Sequence, residues 1–244
     1  MLHPADDPAS PSPEISVVVP LYNEEDNVVP LQEELATALQ GIEYEVVLVD
    51  DGSTDGTAAK VVPGERVRLL EFEANTGQSA AMHAGIQAAR GEIIVLIDGD
   101  LQNDPRDIPQ LLEPLRQNEA DLACGYRAKR KDTAFKRLQS RIANGVRSRF
   151  VGDGVRDTGC TLKAMRQECR RALPPFTGMH RFIPALIKGA GFRIVEMAVN
   201  HRPRQHGESK YGFGNRAWKA TMDMFGVRWL VSRSFHYQVK GESD

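Results

Sequence analysis

Val95-Leu96-Ile97-Asp98-Gly99-Asp100-Leu101-Gln102 carries an apolar run straight into two carboxylates one residue apart, with an amide two positions on. A short apolar run ending in Asp-Gly reads as a buried strand and its exit loop. Two hard oxygen donors and the Gln102 amide at such an exit can hold a divalent cation, which can in turn hold a diphosphate. Asp and Gly also build ordinary turns, so the triplet alone supports either reading.

Working outward, Ile15 to Pro20, Tyr44 to Asp50, Val67 to Phe72 and Glu92 to Asp98 are short apolar runs, and helical periodicity separates the first two and the last two. That alternation predicts an α/β domain with a mainly parallel sheet covered by helices on both faces. The first helix is expected to start at Asn23, with Glu24, Glu25 and Asp26 at its positive end. A second is expected over Gly77 to Arg90, stopped by Gly91. From Pro105 the spacing predicts a helix to about Asn118 and a strand over Asp121 to Tyr126. A strand over Thr158 to Ala164, helices around Gln167 to Leu173 and His180 to Gly189, and a strand over Phe192 to Asn200 follow. Open sheets of this kind bind ligands at the carboxyl ends of their strands, where the polar motifs fall.

Composition narrows the class. At 244 residues the chain suits one domain with an elaboration, and 41% hydrophobic with 26% charged content is ordinary for a globular protein. The formal net charge of -2 hides an asymmetry: residues 1 to 100 carry 19 acidic and 4 basic side chains, residues 101 to 244 carry 14 and 27. An acidic part suited to a cation beside a basic part suited to anions fits a phosphate-rich small substrate and argues against a nucleic-acid partner. Cys124, Cys160 and Cys169 form no CxxC pair, which points to a reducing, cytoplasmic setting. Residues 1–14 lack the pattern of a signal peptide and are expected to form a flexible tail. No apolar run is long enough to span a bilayer, so no transmembrane helix is expected.

Two further strand exits face the same sheet edge. Pro20-Leu21-Tyr22-Asn23-Glu24-Glu25 offers Tyr22 to flank a base and Glu24 to accept hydrogen bonds. Asp50-Asp51-Gly52-Ser53-Thr54-Asp55-Gly56-Thr57 offers Asp51 in the same role, within a tight turn. Asn23 also reads as a helix cap, and Asp51 to Thr57 as a capped turn.

Taken in order, Val17-Val18-Val19-Pro20-Leu21-Tyr22-Asn23-Glu24-Glu25, Val49 to Thr57, Asn75-Thr76-Gly77-Gln78 and Asp98-Gly99-Asp100 resemble family 2 glycosyltransferases of the GT-A fold, from about Ile15 to Tyr211. Leu101 to Pro105, Asp157 to Lys163 and Asn200 to Tyr211 are similar to the polyprenyl-phosphate branch, which includes dolichol-phosphate mannosyltransferase. The resemblance implies a GT-A domain over residues 15–212 and a C-terminal helix and tail over 213–244. It implies nucleoside binding by Pro20, Tyr22, Glu24 and Asp51, and Mg2+ or Mn2+ held by Asp98, Asp100 and Gln102. The implied reaction is inverting transfer of a hexose, mannose or glucose, from a GDP or UDP sugar to polyprenyl phosphate.

A lipid phosphate is already an anion at neutral pH, so in-line placement and charge stabilisation outweigh general-base catalysis. Arg127, Arg137 and Ser140 are the candidates for the acceptor phosphate, with Arg141 as an alternative in the basic stretch Arg127 to Arg149. Asp157 is a candidate to orient the sugar or contact the metal. Arg202, Arg204, Ser209 and Lys210 are expected on a loop that closes over the diphosphate, with His201 and His206 as weaker candidates. Trp218 to Trp229 reads as an amphipathic helix, packed on the domain or resting on a membrane surface or a small membrane partner. Many relatives carry transmembrane helices after the catalytic domain, so delivery of the lipid is a separate question here. Competing readings are a family 2 transferase with a soluble or glycan acceptor and a non-catalytic sugar-nucleotide-binding subunit. A nucleotidyltransferase or nicotinamide enzyme lacks support because no Gly-rich phosphate loop follows the first strand.

Overall fold

The computed structural model describes residues 12–128, 145, 147–203 and 214–235. Seven strands form one sheet: β1 (Ile15–Leu21), β2 (Tyr44–Asp50), β3 (Val67–Glu71), β4 (Ile93–Leu96), β5 (Leu122–Arg127), β6 (Lys163–Arg166) and β7 (Ile194–Val199). Their spatial order is β3-β2-β1-β4-β6-β5-β7. All neighbours run parallel except β6, which is antiparallel to both β4 and β5. The α/β architecture expected from the sequence is therefore present, with one reversed strand that the alternating pattern does not reveal.

Near-continuous apolar strands supply two buried faces. Val17, Val19 and Leu21 of β1 join one core with helix α1 (Val28–Ala38) and helix α3 (Ile108–Arg116). Val18, between them in sequence, joins the other with α2 (Gln78–Ala88), α4 (Ile183–Gly189) and α5 (Gly214–Arg233). The split follows from the two-residue side-chain period of a strand. Helix α2 lies so close to the sheet that a Cβ at Gly85 would overlap Val18 Cγ1 and sit 3.1 Å from Val49 Cγ2.

Some boundaries differ from the sequence expectation. Helix α1 starts at Val28, five residues after Asn23, because Asn23 takes a left-handed conformation (φ 53°) that bends the chain before the helix. The strand expected over Thr158 to Ala164 is the shorter β6, and the segment Gln167–Ala172 is a 3-10 helix. Glu14, placed in the tail, is instead tied down: its N–H donates to the Glu43 carbonyl at 2.9 Å and its carboxylate pairs with Arg116 at 2.7 Å. Residues 1–11, and most of the basic stretch after β5, lie outside the described residues.

Gly85→Ala is expected to lower stability by about 1–3 kcal/mol through overpacking against the branched Val18 side chain. Thermal unfolding of the variant measures this, and an unchanged midpoint would contradict the close approach of α2 to β1.

Candidate active site

The carboxyl ends of β1, β2 and β4 meet where the strand order reverses, and the loops after β1 and β2 are stitched together by side chains. The Asn23 N–H donates to Ser53 Oγ at 2.9 Å, and the Asn23 side-chain oxygen accepts from the Thr54 N–H at 2.8 Å. The Glu24 N–H donates to Thr57 Oγ1 at 2.8 Å, and the Gly56 N–H to Glu25 Oε2 at 3.1 Å. These bonds hold Pro20, Tyr22 and Glu24, all partly exposed, beside the loop after β2.

Asp51 is 2% exposed. Its carboxylate accepts from the Thr76 N–H at 2.7 Å, the Gly77 N–H at 2.8 Å and Asn75 Nδ2 at 3.0 Å. The sequence suggested a hydrogen-bond acceptor for base or ribose; the structure gives this carboxylate the task of fixing the loop before α2. Gly77 there has φ 101°, which glycine alone adopts readily.

At the end of β4, Asp98 is partly exposed and Asp100 is buried. Asp98 Oδ1 accepts from Gln78 Nε2 at 2.9 Å, and its carboxylate also takes a hydrogen bond from Thr161. Burial, with the Asp100 charge adding to it, pushes the Asp98 carboxyl up to about 6 against those hydrogen bonds and the Lys163 charge. Asp100 Oδ1 accepts from the Gln102 N–H at 3.2 Å. Leu101, between them, has φ 59°, an uncommon conformation for a bulky residue that costs on the order of 1–3 kcal/mol. Its side chain, 3% exposed in the core shared with α1 and α3, anchors the loop in that shape.

Two repelling carboxylates next to an amide suit a divalent cation, whose charge would remove the repulsion. Among the described residues no three His, Cys, Asp or Glu side chains gather to hold a metal. Asp98, Asp100 and Gln102 would thus supply a partial oxygen set to be completed by phosphate and water, the arrangement hard cations such as Mg2+ accept.

The structure relocates two expected cations. Arg127 donates through Nε and Nη2 to Asp157 at 2.7 and 2.8 Å, so both candidates are brought together as a fork-to-fork pair. Asp157 thus sets the direction of the Arg127 guanidinium. Arg202 is held between Glu34 of α1 and Asp104, at 2.7 Å from each. In the structure two carboxylates fix this guanidinium beside the loop after β4. Its backbone also closes on the Asp98–Gln102 loop: the Arg202 N–H donates to the Gln102 carbonyl at 2.8 Å. Arg137, Ser140, Arg141, Arg204, Ser209 and Lys210, together with His206, lie outside the described residues.

Sequence reasoning assigned no role to Gln78, Thr161, Lys163 or His180. Lys163, at the start of β6, is 2% exposed, donates to the Cys160 carbonyl and adds positive charge beside Asp98. Its position opposite Leu96 in the β4–β6 register puts it at the same edge as the carboxylates. His180 Nδ1 lies 2.7 Å from Ser79 Oγ, and burial, followed by Arg181 and Lys163, lowers its pKa to about 4, leaving a neutral ring at pH 7. Gln78 and Lys163 end two of the motifs quoted above, which was the available signal.

Burial raises the Asp104 carboxyl, but hydrogen bonds from Arg106 and Arg202 outweigh it and hold it at about 2. Ionised Asp104 thus contributes stability above its unfolded pKa near 4, and that contribution is lost as pH falls toward 2. Arg202→Met should destabilise the fold by roughly 1–3 kcal/mol at pH 7 and flatten the stability profile between pH 4 and 2. Urea unfolding at several pH values measures both effects; a variant as stable as the parent at pH 7 would refute the clamp.

Comparison with known proteins agrees with this geometry. Residues 16–173 match the family model for glycosyl transferase family 2. A dodecaprenyl-phosphate galacturonate synthase of Rhizobium johnstonii is 44% identical over 228 residues, covering 89% of this chain and 67% of that protein. An undecaprenyl-phosphate 4-deoxy-4-formamido-L-arabinose transferase of Edwardsiella ictaluri is 39% identical over 205 residues, covering 81% and 63%. The chain thus spans about two thirds of the length of these two relatives. Among solved structures, glucosyl-3-phosphoglycerate synthase of Mycobacterium tuberculosis, in complex with Mg2+ and UDP, superposes with a TM-score of 0.64 at 22% identity, covering 80% of this chain and 73% of that one. Its likeness reports the shared fold. With strand order, motif positions and family model in agreement, the chain belongs to glycosyl transferase family 2.

Proposed function

We propose that this chain transfers a glycosyl group from a nucleoside diphosphate sugar to a polyprenyl phosphate, with inversion at the anomeric carbon. The observation that carries the reading is the Asp98–Asp100–Gln102 loop at the reversal point of the sheet, beside the stitched loops after β1 and β2. A bound Mg2+ or Mn2+ would stabilise the charge of the departing nucleoside diphosphate, as Lewis acids do for phosphate leaving groups. Asp98, Asp100 and Gln102 would hold that cation, and Pro20, Tyr22 and Glu24 would flank the nucleoside. Asp51 would act there by shaping the loop that ends at Gly77.

For the acceptor, Arg127 is the described candidate, with its guanidinium direction set by Asp157. Arg137, Ser140 and Arg141, with Arg204, Ser209 and Lys210 on the donor side, complete the proposed set. The acceptor's anionic oxygen attacks the anomeric carbon as the bond to the diphosphate breaks, a displacement that orientation and charge can support without a strong base. The named activities of the two relatives support a polyprenyl phosphate acceptor. They also widen the donor beyond mannose and glucose to uronic acids and amino-pentoses.

Membrane association is part of the same proposal. Helix α5 buries Val227, and Met224, Leu230 and Val231 pack against the core. Met222, Phe225 and Trp229 remain more than half exposed, with Phe235 just beyond the helix at 82%. Leu173, Leu186, Phe192, Trp229 and Phe235 line a groove of about 1020 Å³ between this helix and the domain. An exposed apolar stripe with Arg228 and Arg233 nearby fits the interface of an anionic membrane. No described helix is long and apolar enough to cross one.

A panel of GDP and UDP sugars with Mn2+ and short-chain polyprenyl phosphate should release one nucleoside diphosphate only when the lipid phosphate is present. Release with soluble sugars and none with the lipid would favour a glycan acceptor and defeat this reading. Asp100→Ala should reduce turnover at least about 100-fold, the scale of lost leaving-group stabilisation; normal turnover would remove the metal role. Trp229→Ala with Met222→Ala should weaken sedimentation with anionic vesicles while leaving thermal stability nearly unchanged, and undiminished binding would show that α5 does not meet the lipid.

A further inference from the structure

The first turn of α2 sends consecutive side chains to two different segments. Gln78 Nε2 donates to Asp98 Oδ1 at 2.9 Å. Ser79 Oγ accepts from the Gly178 N–H at 2.9 Å and lies 2.7 Å from His180 Nδ1. The turn is itself fixed from behind, since the N–H groups of Thr76 and Gly77 end on buried Asp51.

A carboxylate turns with little resistance about its terminal torsion, so an unsupported Asp presents its lone pairs in many directions. A donor fixed on one oxygen removes that freedom and determines which lone pairs meet a ligand. Gln78 does this with a neutral amide, which adds no charge to compete with a cation. Its own position is set by a helix whose start cannot shift without breaking the Asp51 bonds. Thr161, arriving from the opposite side of the chain, supplies the second donor to the same carboxylate.

We propose that Gln78 is a positioning residue for the divalent cation, holding Asp98 in the one orientation that presents an oxygen to the metal and coupling that orientation, through Gly77, to the Asp51 loop. The inference rests on the reading of Asp98 as a cation ligand and adds to it the group that aims the ligand. Ser79, one position on, belongs to the packing of the 178–180 segment and has no such role.

The test is Mn2+ titration of the full chain with UDP or GDP present, followed by electron paramagnetic resonance against a protein-free Mn2+–nucleotide control, alongside thermal unfolding. Gln78→Met keeps length and helix propensity but removes the donor, and Gln78→Asn keeps the amide but shortens its reach. Both should weaken Mn2+ binding roughly 10-fold or more, the scale set by partners of metal ligands, with little change in melting temperature. Ser79→Ala should lower the melting temperature and leave Mn2+ affinity within about twofold, as expected of a bond made away from the ligand. Unchanged Mn2+ affinity in both Gln78 variants, with the parent binding normally, would overturn the inference alone. Equal weakening by Ser79→Ala would overturn it too, by tracing the effect to helix displacement. A parent chain that takes up no Mn2+ at millimolar concentration with either nucleoside diphosphate present would overturn the cation reading itself.

Discussion

A single buried carboxylate, Asp51, sets the geometry on which the site depends. Burying its charge is costly, and the cost is offset because two backbone N–H groups and the Asn75 amide converge on it. That convergence joins the end of β2 to the start of α2. The helix then carries Gln78 to Asp98 and Ser79 to the 178–180 segment, so the ends of β2 and β4 are fixed relative to one another through a helix lying on the sheet. Without this pin the loop before α2 would be an ordinary glycine turn, and Asp98 would lose the positioned donor that Gln78 supplies.

Charge is matched locally across the described part of the site. Arg127 faces Asp157, and Arg202 lies between Glu34 and Asp104. Lys163 is different in kind: buried and bonded to a carbonyl, it offsets part of the negative field of Asp98 through space. The site is therefore a prearranged set of oriented dipoles and paired ions around two carboxylates that repel one another. On the proposed function, such an arrangement would need little reorganisation on binding a cation and a diphosphate.

What the sequence made legible was whatever is local. Strands β1, β2 and β4 could be read from their apolar runs, and their exit loops from Asp, Gly and Asn placed directly after them. The wider motif order then indicated the family. Contacts across the chain were not legible: Arg202 and Glu34 are 168 residues apart, and nothing in either neighbourhood announces the other. Arg127 and Asp157 were each picked out but given separate tasks, because a guanidinium and a carboxylate 30 residues apart look equally available to ligands until the fold pairs them. Asn23 misled for a related reason. Asparagine suits both a helix cap and a left-handed bend, and only the hydrogen bonds from the loop after β2 select the second.

The reversal of β6 has a broader consequence. Because it runs against β4, its first residue, Lys163, lies beside the last residue of that strand, Leu96. The chain therefore leaves β5 and enters β6 at the same rim of the sheet. The described part of that connection is built into both cores: Val151 is buried in the one shared with α2 and α4, and Cys160 and Leu162 in the one shared with α1 and α3. The reversed strand thus ties the segment after β5 to the rim that carries Asp98 and Asp100, so a change of length there is felt in both cores and at that rim.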